Sequence, residues 1–194
     1  MSPIENHKFY EDQTFKGAEI TTALQIKCTE FCDCEFVDCK FASISFFDCI
    51  FENCTFDNCD LASSSIKHTA FRDVIFTECK LTGIQWTEAV LPLDVHFRRS
   101  ILNYSGFVGV DLRNAEIVRC QLKDVDFSET NLSKTDCRYS DFSGARFNNT
   151  NLSYANLTRA TGYSIHPAGN ILRKTKFSLP EAISFLNALD IILE

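Results

Sequence analysis

The chain has 194 residues, 19 Lys and Arg against 26 Asp and Glu, a formal net charge of −7 and an apolar content of 45%. That length fits a single domain, and the absence of any run of some 18 apolar residues excludes a membrane-spanning helix. The unusual feature of the composition is 18 Phe beside one Met and one Trp.

The first 25 residues are an irregular beginning. Met1 to Tyr10 is polar and lacks an apolar stretch of the kind a secretory signal needs, so a cytoplasmic (bacterial) location is expected. Tyr10, Phe15 and Ile20 lie five apart, and one residue is inserted before Ile26. The first ten residues are expected to cover the end of whatever follows.

From Phe31 to Leu91 every fifth residue is large and apolar: Phe31, Phe36, Phe41, Phe46, Phe51, Phe56, Leu61, Ile66, Phe71, Phe76, Leu81, Trp86, Leu91. Two residues before many of these stands a small one, including Cys34, Cys39, Cys49, Cys54, Cys59 and Cys79. An α-helix would smear a period of five around its axis, turning about 140° between members. A flat strand would throw alternate members onto opposite faces. The period instead suits a chain that runs extended for a few residues and then turns a corner, with both ladders inside. Such a coil puts the small residues where a thiol acts as a small buried hydrophobe. Cys28, Cys32, Cys34 and Cys39 have loose zinc spacing, but the register points the first two outward and the last two inward, so neither a metal nor any other cofactor is expected.

This half is acidic. Residues 1–96 hold 7 Lys and Arg against 16 Asp and Glu, whereas residues 97–194 hold 12 against 10. Asp33 and Asp73, Asp38 and Glu78, and Asp48 and Glu88 recur at multiples of twenty, with Asn53 and Asn58 filling the gaps in the first two columns. Together with Glu52 and Asp57, these are the candidate partner-binding residues. One reading is a solvated surface that keeps a rod soluble. The other compares charge densities. Duplex DNA carries one charge per roughly 1.7 Å of axis, on the order of 12 over a 20 Å acidic half, against a net −9 here.

Residues 92–96 add one residue and Pro92, which lacks a backbone donor; a bulge or bend is expected there, with a hinge or binding loop as the alternative. The ladder then resumes with Phe97, Leu102, Phe107, Leu112, Ile117, Leu122, Phe127, Leu132, Cys137, Phe142, Phe147, Leu152 and Leu157. Ladder residues twenty apart are identical in ten of nineteen pairs, those fifteen apart in five of twenty-one. Four sides per coil is therefore favoured. At about 4.8 Å per coil, roughly seven coils are expected in about 34 Å. Outward Arg98, Arg99, Arg113, Arg119, Arg138, Arg146 and Arg159 are expected to pair with Asp111, Asp126, Asp136 and Asp141. With only +2 net charge and the aromatics inside, direct nucleic-acid binding is not expected.

Residues 158–178 leave the repeat through Gly162, Pro167 and Gly169. Ser178-Leu179-Pro180-Glu181 reads as a capping box opening a helix over 178–190. Ala182, Phe185, Leu186 and Leu189 form its apolar face, and Ile192 extends it. Either the helix caps the last coil or it makes a two-fold dimer. The four histidines are scattered, no nucleophile elbow, HExxH or phosphate-cradling loop occurs, and an enzyme is not expected.

Ala115-Glu116-Ile117, Thr130-Asn131-Leu132, Ala145-Arg146-Phe147 and Ala155-Asn156-Leu157 resemble the A(D/N)LXX unit of the pentapeptide repeat proteins. The resemblance covers residues 26–160. It implies an all-β solenoid, a right-handed quadrilateral β-helix over 1–160, with residues 161–194 supplying a turn, a short C-terminal α-helix and a tail. The post-coil string from Ile165 to Phe177 is similar to the fluoroquinolone-resistance (Qnr and MfpA) branch. That likeness implies a DNA-mimicking partner of DNA gyrase or topoisomerase IV, dimeric through the C-terminal helix, here with Ala182, Phe185, Leu186, Leu189 and Ile192. Qnr proteins project two loops from their coils that this sequence lacks. A non-enzymatic interaction scaffold is the alternative.

Overall fold

The computed structural model describes residues 4–18 and 25–187. Its chain advances in sides of five residues. In residues 34–38, Cys34 points in, Glu35 out, Phe36 in and Val37 out; Asp38 then turns the corner with φ of 56°. A left-handed backbone at most corners is what converts a strand into a wall of a coil. Among the described residues twenty-five non-glycine residues adopt it, and ten of them are Asp or Asn, the side chains that tolerate this conformation best.

The extended pieces are β1 (Phe9–Glu11), β2 (Thr14–Lys16), β3 (Gln25–Lys27), β4 (Glu30–Cys32), β5 (Glu35–Val37), β6 (Ser45–Phe47), β7 (Ile50–Glu52), β8 (Thr55–Asp57), β9 (Ala70–Arg72), β10 (Val74–Thr77), β11 (Val95–Arg98) and β12 (Ile117–Val118). All pair in parallel and build four walls. The first wall carries β1-β4-β7-β9, the second β2-β5-β8-β10-β11-β12, and the fourth β3-β6. The third is held by isolated bridges such as Lys40 to Asp60 and Asp60 to Lys80.

The coil count departs from the expected seven. Strand pairing on the second wall spans five turns, from Phe15 to Ile117. Isolated bridges then extend the same wall from Glu116 through Asp136 and Asn156 to Lys176. The winding starts before residue 26 and runs past residue 157, where the sequence no longer advertises the repeat.

Stacked rings fill the tube. Phe15, Phe36, Phe56, Phe76 and Phe97 form one column, with successive centroids 5.0, 4.4, 4.8 and 5.6 Å apart and near-parallel planes. Trp86, Phe107, Phe127 and Phe147 form another at 5.4–5.7 Å. Neighbouring columns meet edge to face, as Phe41 does with Phe36 and Phe46. Each such pair contributes about 0.5–1.5 kcal/mol beyond its area burial.

The small inward ladder does more than fill space. Ser64, Thr69, Thr130, Thr135, Ser140 and Thr150 are buried, and each hydroxyl donates to the carbonyl of the large residue one coil earlier, at 2.7–3.0 Å. The thiols of Cys49, Cys54, Cys59 and Cys79 make the same bond at 3.3–3.5 Å. The position therefore selects a short donor rather than merely a small side chain.

All ten cysteines are free thiols, eight of them buried, with Cys28 exposed and Cys32 half-buried on the outside. Burial pushes the Cys54 and Cys120 thiols up to about 12 and the Cys49 thiol up to about 11. The hydrogen bond from Cys32 to the Asp33 carboxylate raises the Cys32 thiol to about 11. Because a thiol reacts as its thiolate, titration with an aromatic disulfide at pH 8 is expected to modify Cys28 rapidly and Cys32 slowly. The other eight should appear only on unfolding, and rapid release of more than two equivalents would refute this packing.

One ladder assignment and one cap assignment change. Leu91 is 59% exposed, and Leu93, 7% exposed, takes its place inside. Val90 still bridges to Ala70, but Pro92 offers no donor to continue the wall, so the chain bulges there. Ser178 is not a helix cap: its hydroxyl accepts from the Arg159 backbone N–H at 2.8 Å. A 3-10 turn at Glu181–Ile183, with no side-chain cap, leads into α1 (Ser184–Asn187). The rest of the expected helix, with Leu189 and Ile192, and the Ile20 rung lie outside the described residues.

Candidate interaction surface

The corners sort the charges. Between the first and second walls they run Asp12, Asp33, Asn53, Asp73, then Asp94, whose backbone is not left-handed, and Asn114, Lys134, Tyr154, Lys174. Between the second and third they run Asp38, Asn58, Glu78, then Arg99, Arg119, Tyr139, Arg159. Left-handed geometry explains Asp and Asn at these sites. It does not explain acids in one half and Arg or Lys in the other, because both sets adopt the same conformation.

The eight candidate acids are not equivalent. Asp33, Asp38, Asp48, Asp73 and Glu78 are corner residues with φ of 51–56°. Glu52 and Asp57 end the first- and second-wall strands β7 and β8, and Glu88 ends a 3-10 turn at Trp86–Glu88. Asn53 donates its amide to Asp33 at 3.2 Å and Asn58 to Asp38 at 2.8 Å, which orients the carboxylates without neutralising them. Glu52 is ion-paired to Arg72 at 3.0 Å and Glu78 to Arg99 at 2.7 Å. Asp48 and Glu88 belong to another corner, with His68 between them, its backbone N–H bonded to the Glu88 carbonyl. Among the described residues Asp33, Asp38, Asp48, Asp57 and Asp73 have no cationic partner, and all five are exposed. The structure thus brings Asp33, Asp38, Asp57, Asp73 and Glu78 together on the second wall and its two corners, and leaves Asp48, Glu52 and Glu88 apart from them.

In the second half Arg113 pairs with Asp111, Arg138 with Asp136 and Arg146 with Asp126, as expected. The Arg113 guanidinium holds the Asp111 carboxyl below the usual range. Asp141 takes Lys123 rather than an arginine, and Arg98 takes Glu116. Among the described residues Arg119 and Arg159 hold no carboxylate: their guanidinium groups lie 4.5 and 5.4 Å from the Tyr139 ring centre, cation–π contacts on an exposed corner. Not every aromatic is inside, then; Tyr104, Tyr139 and Tyr154 stand on corners at 40–62% exposure.

At the C-terminal end Phe185 packs on Phe177 at 4.6 Å and on Tyr163 at 6.1 Å, so the start of the helix lies over the last coil. Burial lifts the Tyr163 hydroxyl to about 12, with the Glu181 carboxylate adding to the shift. Ala182 and Leu186 are half-buried beside it, while Ile183 and Leu179 are exposed. At the other end Tyr10 stacks on Phe31 at 5.3 Å, and Ile4 packs against the core.

A four-walled parallel β-solenoid with five-residue sides, aromatic columns inside and charge sorted along its corners defines a class of repeat protein. The chain belongs to the pentapeptide repeat family: the profile of the pentapeptide repeat region matches residues 29–107 and 92–157. Among solved structures it is similar to two trypsin-treated variants of QnrB1, a plasmid-mediated fluoroquinolone resistance protein. The first is 17% identical, covers 97% of this chain and 100% of that one, and has a TM-score of 0.73. The second is 18% identical, covers 95% and 99%, and has the same score. Comparison with curated proteins by sequence gives no match.

Proposed function

We propose that this pentapeptide repeat protein binds bacterial DNA gyrase or topoisomerase IV, presenting its acidic half to the surface that holds duplex DNA. It acts without a cofactor and without chemistry of its own, as a dimer joined through the C-terminal helix, in the cytoplasm. The observation that carries this reading is the choice of carboxylates without a cationic partner among the described residues at the corners Asp33, Asp38 and Asp73, where the same backbone geometry accepts Arg or Lys one half further on, with Asp57 exposed on the wall between them. A narrow rod with one net charge per roughly 2 Å approaches the linear charge density of duplex DNA. The likeness in fold to QnrB1, a fluoroquinolone resistance protein, supports the choice of partner. Among the described residues no long loop projects between coils, so modulation of the enzyme is expected to outweigh protection.

The test is gyrase and topoisomerase IV supercoiling and relaxation with the purified chain, with and without a fluoroquinolone. Altered activity or altered drug-stimulated cleavage at micromolar protein is the expected result. No effect on either enzyme would leave the scaffold reading in its place.

A further inference from the structure

The second wall is bipolar. Below the junction of β10 and β11 its corners carry Asp12, Asp33, Asp38, Asp73 and Glu78, and its strands Glu35 and Asp57, against Lys16 alone. Above the junction the corners carry Arg99, Arg119, Lys134, Arg159 and Lys174. The wall itself adds Arg98, Arg138 and Lys176, against Glu116, Asp136 and, at the corner that opens β11, Asp94. The formal balance is −6 below and +5 above. The +2 of the whole second half conceals this, because Asp111, Asp124, Asp126, Glu129 and Asp141 lie on the other walls and corners. At the junction the outward side chains of β10, Ile75 and Thr77, are half-buried and uncharged, and Val37 and Val118 interrupt the acidic and basic zones with apolar positions.

We propose that the second wall is a docking surface for the second wall of another copy, the two rods lying side by side and antiparallel. A two-fold axis in the plane between the walls, crossing the rods near the β10–β11 junction, sets each acidic zone on the partner's basic zone. Such an isologous contact needs a surface complementary to itself, and two charge zones of opposite sign and similar size on one flat wall provide it. A nucleic acid on the basic zone would instead run onto like charge along the same wall. The charges are largely available. Among the described residues only Glu78 of the acidic zone is ion-paired within the molecule, and Arg119, Lys134, Arg159, Lys174 and Lys176 have no carboxylate partner. A wall five residues wide is at most about 17 Å across, so the contact is small, and exposed ion pairs make it weak and salt-sensitive. The contact is separate from the C-terminal helix and does not depend on the proposed topoisomerase partner. It covers Asp33, Asp38 and Asp73, so self-association and partner binding exclude one another at those residues.

Sedimentation velocity on the full chain tests this. The expected result is a reversible rise in mass at low ionic strength that is lost at high salt, whereas association through apolar helices persists there. The triple variants D33K/D38K/D73K and R119E/R159E/K174E should each weaken the low-salt step by at least about tenfold. Mixing the two should restore it, because one wall is then basic and the other acidic. The corners already hold Arg, Lys and Glu in the same conformation; should a reversal disturb the circular dichroism spectrum, D33N/D38N/D73N replaces it, with loss of the step still expected. No salt-dependent step, or no rescue on mixing, overturns the proposal. Binding of a short DNA duplex, lost in R119E/R159E/K174E, without self-association would also overturn it and assign the basic zone to nucleic acid.

Discussion

Phe56→Ala is expected to destabilise the protein by about 3–5 kcal/mol, lowering the melting temperature by roughly 10 °C at the 2–4 °C per kcal/mol usual for this chain length. Phe56 is 1% exposed and sits mid-column, 4.4 Å from Phe36 and 4.8 Å from Phe76, with an edge contact to Phe51 at 5.5 Å. Each coil of a solenoid contacts only its neighbours. Removing one ring therefore weakens two interfaces at once, and the continuous strands above and below keep the walls from collapsing into the void. Trp86, the sole tryptophan, is buried against Phe76 and Phe107 and reports the loss by fluorescence. Phe9→Ala is the comparison, since Phe9 is 59% exposed and should change stability little. A Phe56→Ala protein as stable as Phe9→Ala would refute the stacked core.

Reversing Asp33, Asp38, Asp57 and Asp73 to Lys is expected to slow association with the topoisomerase by roughly ten- to a hundredfold at low salt, the range over which complementary charge steers encounter. None of the four has a cationic partner among the described residues, so no internal ion pair is broken. The loss should come from the fields the carboxylates project rather than from the fold. Reversing Asp48 and Glu88, which sit on a different corner, should have a smaller effect. The R119E/R159E/K174E variant should bind the enzyme normally while failing to self-associate, which separates the two roles of the second wall. Unchanged kinetics in the fourfold variant, measured by surface binding across a salt series, would remove DNA mimicry as the mechanism.

The coil was legible in the sequence because neither a helix nor a flat strand can bury large residues at intervals of five. Leu91 against Leu93 was not decidable from spacing, since both are apolar and only the broken wall at Pro92 selects one. The left-handed corners left a trace, Asp or Asn two residues after Phe31, Phe36 and Phe51. The Arg, Lys and Tyr that share the position later in the chain obscured it. Thr130 and Thr135 signalled that the small ladder carries hydrogen bonds, since apolar packing alone gives no reason for hydroxyls there. Ser178 has the capping-box pattern, but a backbone N–H one coil away competes for its oxygen and wins. The bipolar wall was hidden because charges twenty residues apart are neighbours only once the one-residue slip near Pro92 is placed correctly.

The four-sided winding also makes length an angular variable. Excising twenty residues, one full circuit, would shorten the rod and leave Arg119 directly above Asp38. Excising five between them would rotate everything beyond the cut by a quarter revolution, carrying the cations onto an adjacent side while composition and net charge barely changed. Insertions and deletions in such a chain therefore act as a ratchet, and what the molecule shows to a partner depends on residue number modulo twenty.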